Sequence, residues 1–147
     1  MSIRQISVQE AHTEQQQGAI YVDVRSQPEF EEGHPAGAVN IPLLDVDERS
    51  GQMMPNDQFV QVVQANFPAD ARLLLGCQVG GRSQHAARIL AASGFSNVAN
   101  VRGGFAGAVD RMSGRVVDEG WVGAGLPVET ETPPGASYPE LAAKSGS

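Results

Sequence analysis

The chain has one cysteine in 147 residues. A lone cysteine excludes an internal disulfide framework and zinc sites built on several thiolates. No apolar run approaches the ~20 residues of a membrane span. The start, Met1-Ser2-Ile3-Arg4-Gln5-Ile6-Ser7, lacks the apolar stretch of a secretory leader. A cytoplasmic location without membrane contact is therefore expected. Positive charge is scarce: ten Lys and Arg face seventeen Asp and Glu, a net −7 that argues against a nucleic-acid partner. Nothing repeats, and neither a Walker-type phosphate loop nor a dinucleotide fingerprint occurs. No second histidine or carboxylate stands at ligand spacing to His34, so neither a metal nor a cofactor is expected. What remains is 41% hydrophobic and 18% charged, enough for one globular domain.

The charge is unevenly placed. Residues 1–70 hold three arginines against eleven acids, and 116–147 hold one lysine against five acids. Residues 71–115 reverse the balance, with six arginines and one acid. The cysteine lies inside this positive block, as an anionic substrate would require. Arg88 and Arg111 read equally well as solvated surface residues.

Leu73-Leu74-Leu75-Gly76-Cys77-Gln78-Val79-Gly80-Gly81-Arg82-Ser83 begins as an apolar strand, turns through glycines and enters a helix that stops at Ser93-Gly94. A loop between strand and helix sits at the helix N-terminus, where unpaired N–H groups and the helix dipole favour an anion. Gly80 and Gly81 let the N–H groups converge as a nest. A structural cysteine, a small buried hydrophobe, needs none of this. The pattern therefore points to a reactive thiolate at Cys77.

Along the rest of the chain, Ser7 and Glu10 have capping-box spacing and open a helix through about Gln17, after a brief edge strand over 3–6. Ala19–Val24 reads as a strand covered on both faces. Asp23, awkward in such a strand, is expected at its end, bonded to backbone or to Arg25. Residues 28–33 suggest one helical turn, His34 a hydrogen-bonded turn and 39–42 a strand. Residues 43–55 read as an irregular acidic connection. Asn56 is expected to cap a helix carrying Phe59, Val60, Val62 and Val63. A further strand lies within 95–101, followed by the Gly103-Gly104 turn, an excursion or short hairpin over 106–119, and a helical turn over 121–127. Strands alternating with helices argue for an α/β domain with a parallel sheet, whose ligands sit beyond the strands' carboxyl ends. Residues 129–135 have linker composition, and 138–141 are read as docking on the body or on a second subunit.

These residues resemble the rhodanese family of sulfurtransferases. Val22-Asp23-Val24-Arg25 with Glu29-Phe30, then Gly33-His34-Pro35-Ala36-Gly37-Ala38-Val39-Asn40-Ile41-Pro42, is similar to the family's amino-terminal signature. Cys77 to Ser83 reads as its Cys-x-x-Gly-x-Arg-Ser loop. Pro35 stands where many members have isoleucine, and Ala108 where tryptophan is frequent; Trp121 is read as taking that place after an insertion over 107–119. The resemblance implies a rhodanese-like three-layer α/β domain over 1–127, its central, mostly parallel five-stranded sheet covered by helices on both faces. Residues 128–147 form a Pro/Gly/acidic tail outside it.

The resemblance also implies a thiosulfate sulfurtransferase. Cys77 is the catalytic nucleophile and becomes a persulfide. Gln78, Val79, Gly80, Gly81 and Arg82 bind the substrate, mainly through backbone; Arg82 is read as anchoring the donor's oxygens, with loop bracing as the alternative. Asp23, Arg25 and Ser83 support the site. The partners are a small anionic sulfur donor and a thiol or cyanide acceptor, with a sulfur-relay protein a further candidate. Two rivals stand. A phosphatase or arsenate reductase of related fold has five residues between cysteine and arginine, whereas four separate Cys77 from Arg82. A non-catalytic interaction module would often lack the cysteine.

Overall fold

The computed structural model describes residues 3–145. Strand β1 (Arg4–Ile6) passes through a complete Ser7–Glu10 capping box into α1 (Val8–Gln16). Strand β2 (Ile20–Asp23) leads through a second box, Ser26 with Glu29, into α2 (Gln27–Glu32), which carries Pro28 in its first turn. Short strands β3 (His34–Pro35) and β4 (Val39–Asn40) follow, then β5 (Leu44–Val46) and β6 (Met53–Pro55). Helix α3 (Phe59–Asn66), strand β7 (Leu73–Gly76), helix α4 (Gly81–Ala92) and strand β8 (Val98–Val101) come next. Strands β9 (Ala108–Val109), β10 (Val116–Asp118) and β11 (Val128–Glu129) and helix α5 (Tyr138–Ala143) complete the chain.

The central sheet has the order β1-β8-β7-β2-β4, and every neighbouring pair is parallel. The period of two along each strand sorts its side chains between two cores. Leu73 and Leu75 of β7 point with Val22 and Val98 into one cluster, closed by Phe59, Val62 and Val63 of α3, Ala86, Ala87 and Leu90 of α4, and Leu141 of α5. Leu74, Tyr21, Ala99 and Val101 point the other way, against Val8 and Ala11 of α1, Phe30 of α2 and Trp121. The result is the expected three-layer arrangement. From β2 the sheet continues outward to β4, and from β7 to β8 on the opposite side. The order therefore reverses between β2 and β7, which makes a crevice at their carboxyl ends.

Three local expectations change. Residues 43–55 are not irregular: β5 and β6 pair antiparallel as a hairpin, its turn held where the Asp47 carboxylate accepts the Arg49 N–H and the Ser50 hydroxyl, both at 3.1 Å. Asn56 does not cap α3; Gln58 holds the N-cap position, and the Asn56 carbonyl and Oδ1 accept the N–H groups of Phe59 and Gln58 in the turn before it. The 129–135 stretch is held to the body at both ends rather than free, and 138–141 docks on the body, one of its two expected places. Val128 and Glu129 pair with Pro35 and His34, the Ala136 carbonyl accepts the Asn40 N–H at 2.9 Å, and α5 packs on α3. Residues 121–125 form the expected single turn, with the Ala124 N–H donating to the Gly120 carbonyl at 2.9 Å and Gly125 ending it at a φ of +74°. The 107–119 stretch is a β9–β10 hairpin with Met112 exposed at its tip.

Candidate active site

Cys77 stands immediately after β7, at the reversal point of the sheet. Its side chain is almost covered, with the residue 2% exposed, whereas Val79 on the crest of the loop is 54% exposed. The Sγ atom receives the Gly80 N–H at 3.1 Å and the Ser83 N–H at 3.4 Å, and lies 3.3 Å from the Ser83 hydroxyl. Two amides aimed at one sulfur stabilise charge on it without needing to reorganise. The aim depends on Gly80, the N-cap of α4, which has a φ of +105°, a left-handed conformation that side chains resist. The Gly103–Gly107 turn fixes the loop from behind: the Phe105 and Ala106 N–H groups donate to the Cys77 and Gln78 carbonyls at 2.8 and 2.9 Å.

Asp23 and Arg25 meet as expected, and both are buried. Arg25 Nε and Nη2 grip the Asp23 carboxylate at 3.0 and 2.7 Å, and the Arg25 N–H also donates to Asp23. Nη2 reaches the Gly33 carbonyl at 2.7 Å and Nη1 the Gln78 Oε1 at 3.3 Å, while the guanidinium lies 4.5 Å over the Phe105 ring. One cation thereby joins the end of β2, the end of α2, the cysteine loop and the turn behind it. Asn40 completes the set by donating to the Asp23 and Arg25 carbonyls, each at 3.0 Å.

Arg82 places both Nη atoms on the Glu29 carboxylate, at 2.7 and 3.0 Å. This is the geometry of a brace between α4 and α2, in place of free donors facing an incoming anion. The Arg82 guanidinium, helped by the Ser26 bonds, holds the Glu29 carboxyl well down, at about 2. Glu29 in turn raises Arg82 above its ordinary value. Sequence reasoning used Glu29 as a motif letter and missed this partnership, although the Ser26-x-x-Glu29 box already fixed the carboxylate at the start of α2. The arginine that the positive block brings to the loop is thus paired rather than free.

Two cavities flank the brace. One of about 320 Å³ is lined by Arg25, Glu29, Glu32, Gly33, Gln78 and Phe105. The other, about 500 Å³ and mostly apolar, runs between Leu44, Pro55, Phe59 and the Gly81–Arg82 start of α4, with His85 in its wall. A larger cavity of about 600 Å³ opens among Arg4, Glu14, Arg72 and Asn97, at the amino ends of the strands. Its lining has no cysteine, and it lies at the opposite end of the sheet from Cys77. His34 faces none of the three: it stacks on Phe30 and bonds the Phe30 carbonyl at 2.7 Å and Glu129 at 3.1 Å. Among the described residues no cluster of His, Cys, Asp and Glu could hold a metal.

Behind Ser83 lies a polar chain that sequence reasoning missed. Ser83 Oγ is 2.6 Å from Asn100 Oδ1, Asn100 Nδ2 donates to Gln5 Oε1 at 2.8 Å, and Gln5 Nε2 donates to Gln84 Oε1 at 2.5 Å. Its one signal was an asparagine inside an otherwise apolar strand, Val98-Ala99-Asn100-Val101.

A cysteine cradled by backbone amides at the switch point of a parallel sheet defines an α/β domain with one buried thiol at its crevice. Comparison with known proteins narrows the class. Residues 7–110 match the rhodanese-like domain. The chain is 36% identical over 100 residues to thiosulfate sulfurtransferase 16, chloroplastic, of Arabidopsis thaliana, covering 68% of this chain and 82% of that protein. It is 31% identical over 131 residues to the thiosulfate sulfurtransferase GlpE of Haemophilus influenzae, covering 88% and 98%. Among solved structures, Rv0390 of M. tuberculosis superposes with a TM-score of 0.72 at 26% identity, covering 89% of this chain and all of that one. The protein belongs to the rhodanese family.

Proposed function

We propose that the protein is a sulfurtransferase that carries a sulfane sulfur on Cys77. The observation that carries this reading is the sulfur held by the Gly80 and Ser83 N–H groups at the head of α4. The Cys77 thiolate attacks the outer sulfur of thiosulfate or a similar donor. The donor's S–S bond breaks, sulfite leaves with its electron pair, and a persulfide remains. An acceptor thiolate or cyanide then attacks the terminal sulfur, and Cys77 departs as thiolate. The charge passes through Sγ twice, where the two amides meet it. Arg82 keeps the loop in register through Glu29, and Arg25 holds Gln78. The relatives named as thiosulfate sulfurtransferases support the assignment.

Intact mass before and after thiosulfate, then after cyanide, tests the reading. A gain of about 32 Da on Cys77 that cyanide removes as thiocyanate is expected of such a nucleophile. Cys77→Ser should keep the fold and lose the gain entirely. If thiosulfate, mercaptopyruvate and persulfide donors all leave Cys77 unmodified, the chain is an interaction module and not a sulfur carrier.

A further inference from the structure

The Ser83 hydroxyl has a single proton and three neighbours that compete for it. The Asn100 carbonyl oxygen lies at 2.6 Å, the Gly80 carbonyl at 3.2 Å and the Cys77 sulfur at 3.3 Å. The shortest contact takes the proton, so Ser83 turns lone pairs toward Cys77. The direction of the Asn100 amide is set from outside the site. Its Nδ2 is committed to Gln5 Oε1, and Gln5 Nε2 is committed to Gln84 Oε1 and, at 3.3 Å, to the Ile3 carbonyl. Flipping Asn100 alone would bring two carbonyl oxygens face to face. Three elements, β8, β1 and α4, therefore hold one orientation.

We propose that Asn100 is a positioning residue for the nucleophile: its carbonyl holds the Ser83 proton away from Cys77 in the resting thiol, and release of that bond turns the hydroxyl onto the thiolate. In the thiol, S–H donates to the Ser83 oxygen. Once the thiol proton is lost, the same oxygen would present lone pairs to a negative sulfur. The hydroxyl then rotates to donate O–H···S⁻ and leaves the buried Asn100 oxygen without it. Charging Cys77 therefore exchanges a neutral hydrogen bond for a charge-assisted one. The remaining groups with a charge or a titration near Cys77 are Arg82 on α4, Tyr21 on β2, and the Asp23–Arg25 pair at the end of β2. None touches Asn100, so changes there leave them in place.

This inference concerns the nucleophile of the proposed reaction, but alkylation reads it without any sulfur transfer. Cys77 is the only cysteine, so iodoacetamide incorporation reports on it alone. The pH midpoint of the alkylation rate is measured for the wild type, Asn100→Leu and Asn100→Asp, each with Ser83 and with Ser83→Ala. Asn100→Leu frees the hydroxyl for the thiolate, and its midpoint should fall by roughly half a unit to one unit. At a pH below both midpoints that is about three- to tenfold faster labelling. Asn100→Asp pins the hydroxyl more firmly and also sets a carboxylate near the sulfur, and its midpoint should rise for both reasons. In the Ser83→Ala background the Asn100→Leu displacement should shrink toward nothing, and the Asn100→Asp rise should fall to the part its charge alone supplies. An unmoved Asn100→Leu midpoint, or a displacement undiminished by Ser83→Ala, overturns the assignment. Should Asn100→Leu fail to fold, Asn100→Ala, which also removes the acceptor without adding charge, carries the test with and without Ser83. A loss of sulfur transfer with the alkylation pattern intact would count against the proposed reaction and leave the role of Asn100 standing.

Discussion

The Glu29 carboxylate receives the guanidinium of a residue 53 positions away and also closes the capping box of its own helix with Ser26. Because its folded pKa is lowered to about 2, the unfolded chain binds the proton more readily. The bridge's stabilisation is thus fully present above the ordinary carboxylate range, near ~4.3, and is lost as pH falls from there through about 2. Glutamine at 29 keeps the capping box and removes the charge. The melting-temperature gap between wild type and Glu29→Gln should be constant above about pH 5 and close toward pH 2. A gap that widens on acidification would contradict the bridge. The Asp23–Arg25 pair is a different case, since both side chains are covered. Arg25→Ala leaves a buried carboxylate without its cation and should cost roughly 3–5 kcal/mol in urea unfolding. A loss below about 1 kcal/mol would mean that water reaches Asp23.

At the scale of the elements, the cysteine loop rests on the 103–107 turn, and two glycines in this region have opposite tolerances. A Cβ on Gly104 would lie 2.3 Å from the Cys77 carbonyl oxygen, at a φ of +56°. A Cβ on Gly81 would meet nothing within 4 Å, at the start of a helix. Gly104→Ala should therefore lower the melting temperature and abolish the proposed sulfur transfer, while Gly81→Ala should leave stability equal or raise it by about 0.4–1 kcal/mol. Equal melting of the two variants would refute this account of the turn. The same elements show what was legible in the sequence. Cys77 through Ser83 is contiguous, so its loop and helix could be read directly, and Ser7-x-x-Glu10 announced its helix. The hairpin over 43–55 could not be seen, because its strands have three residues each and give alternation little room. Asn100 and Gln5 reach Ser83 only because β1 and β8 lie side by side, a neighbour relation that comes from the sheet order and not from local pattern.

The whole molecule includes its carboxyl-terminal segment. The family match stops at residue 110, yet Trp121 is fully buried in one core and Leu141, 4% exposed, lies in the other. The Tyr138 hydroxyl accepts from Asn56 at 3.0 Å, and Asn66 donates to the Leu141 carbonyl at 2.9 Å, so α5 is fixed to the turn before α3 and to the last residue of α3. Val128 and Glu129 cover β3, and the Ala136 carbonyl takes an N–H of the edge strand β4 that would otherwise be open. Phe59 of α3 lies in the same core cluster as Cys77, so loosening α5 acts on the layer that carries Cys77. Leu141→Ala should cost roughly 2–5 kcal/mol, the range for emptying a core leucine site. Removal of 128–147 should cost more, broaden the thermal transition, and speed iodoacetamide labelling of Cys77 as its covering layer opens. A truncated chain that melts with the full one and labels at the same rate would show that the core over residues 3–127 closes without the segment that covers it here.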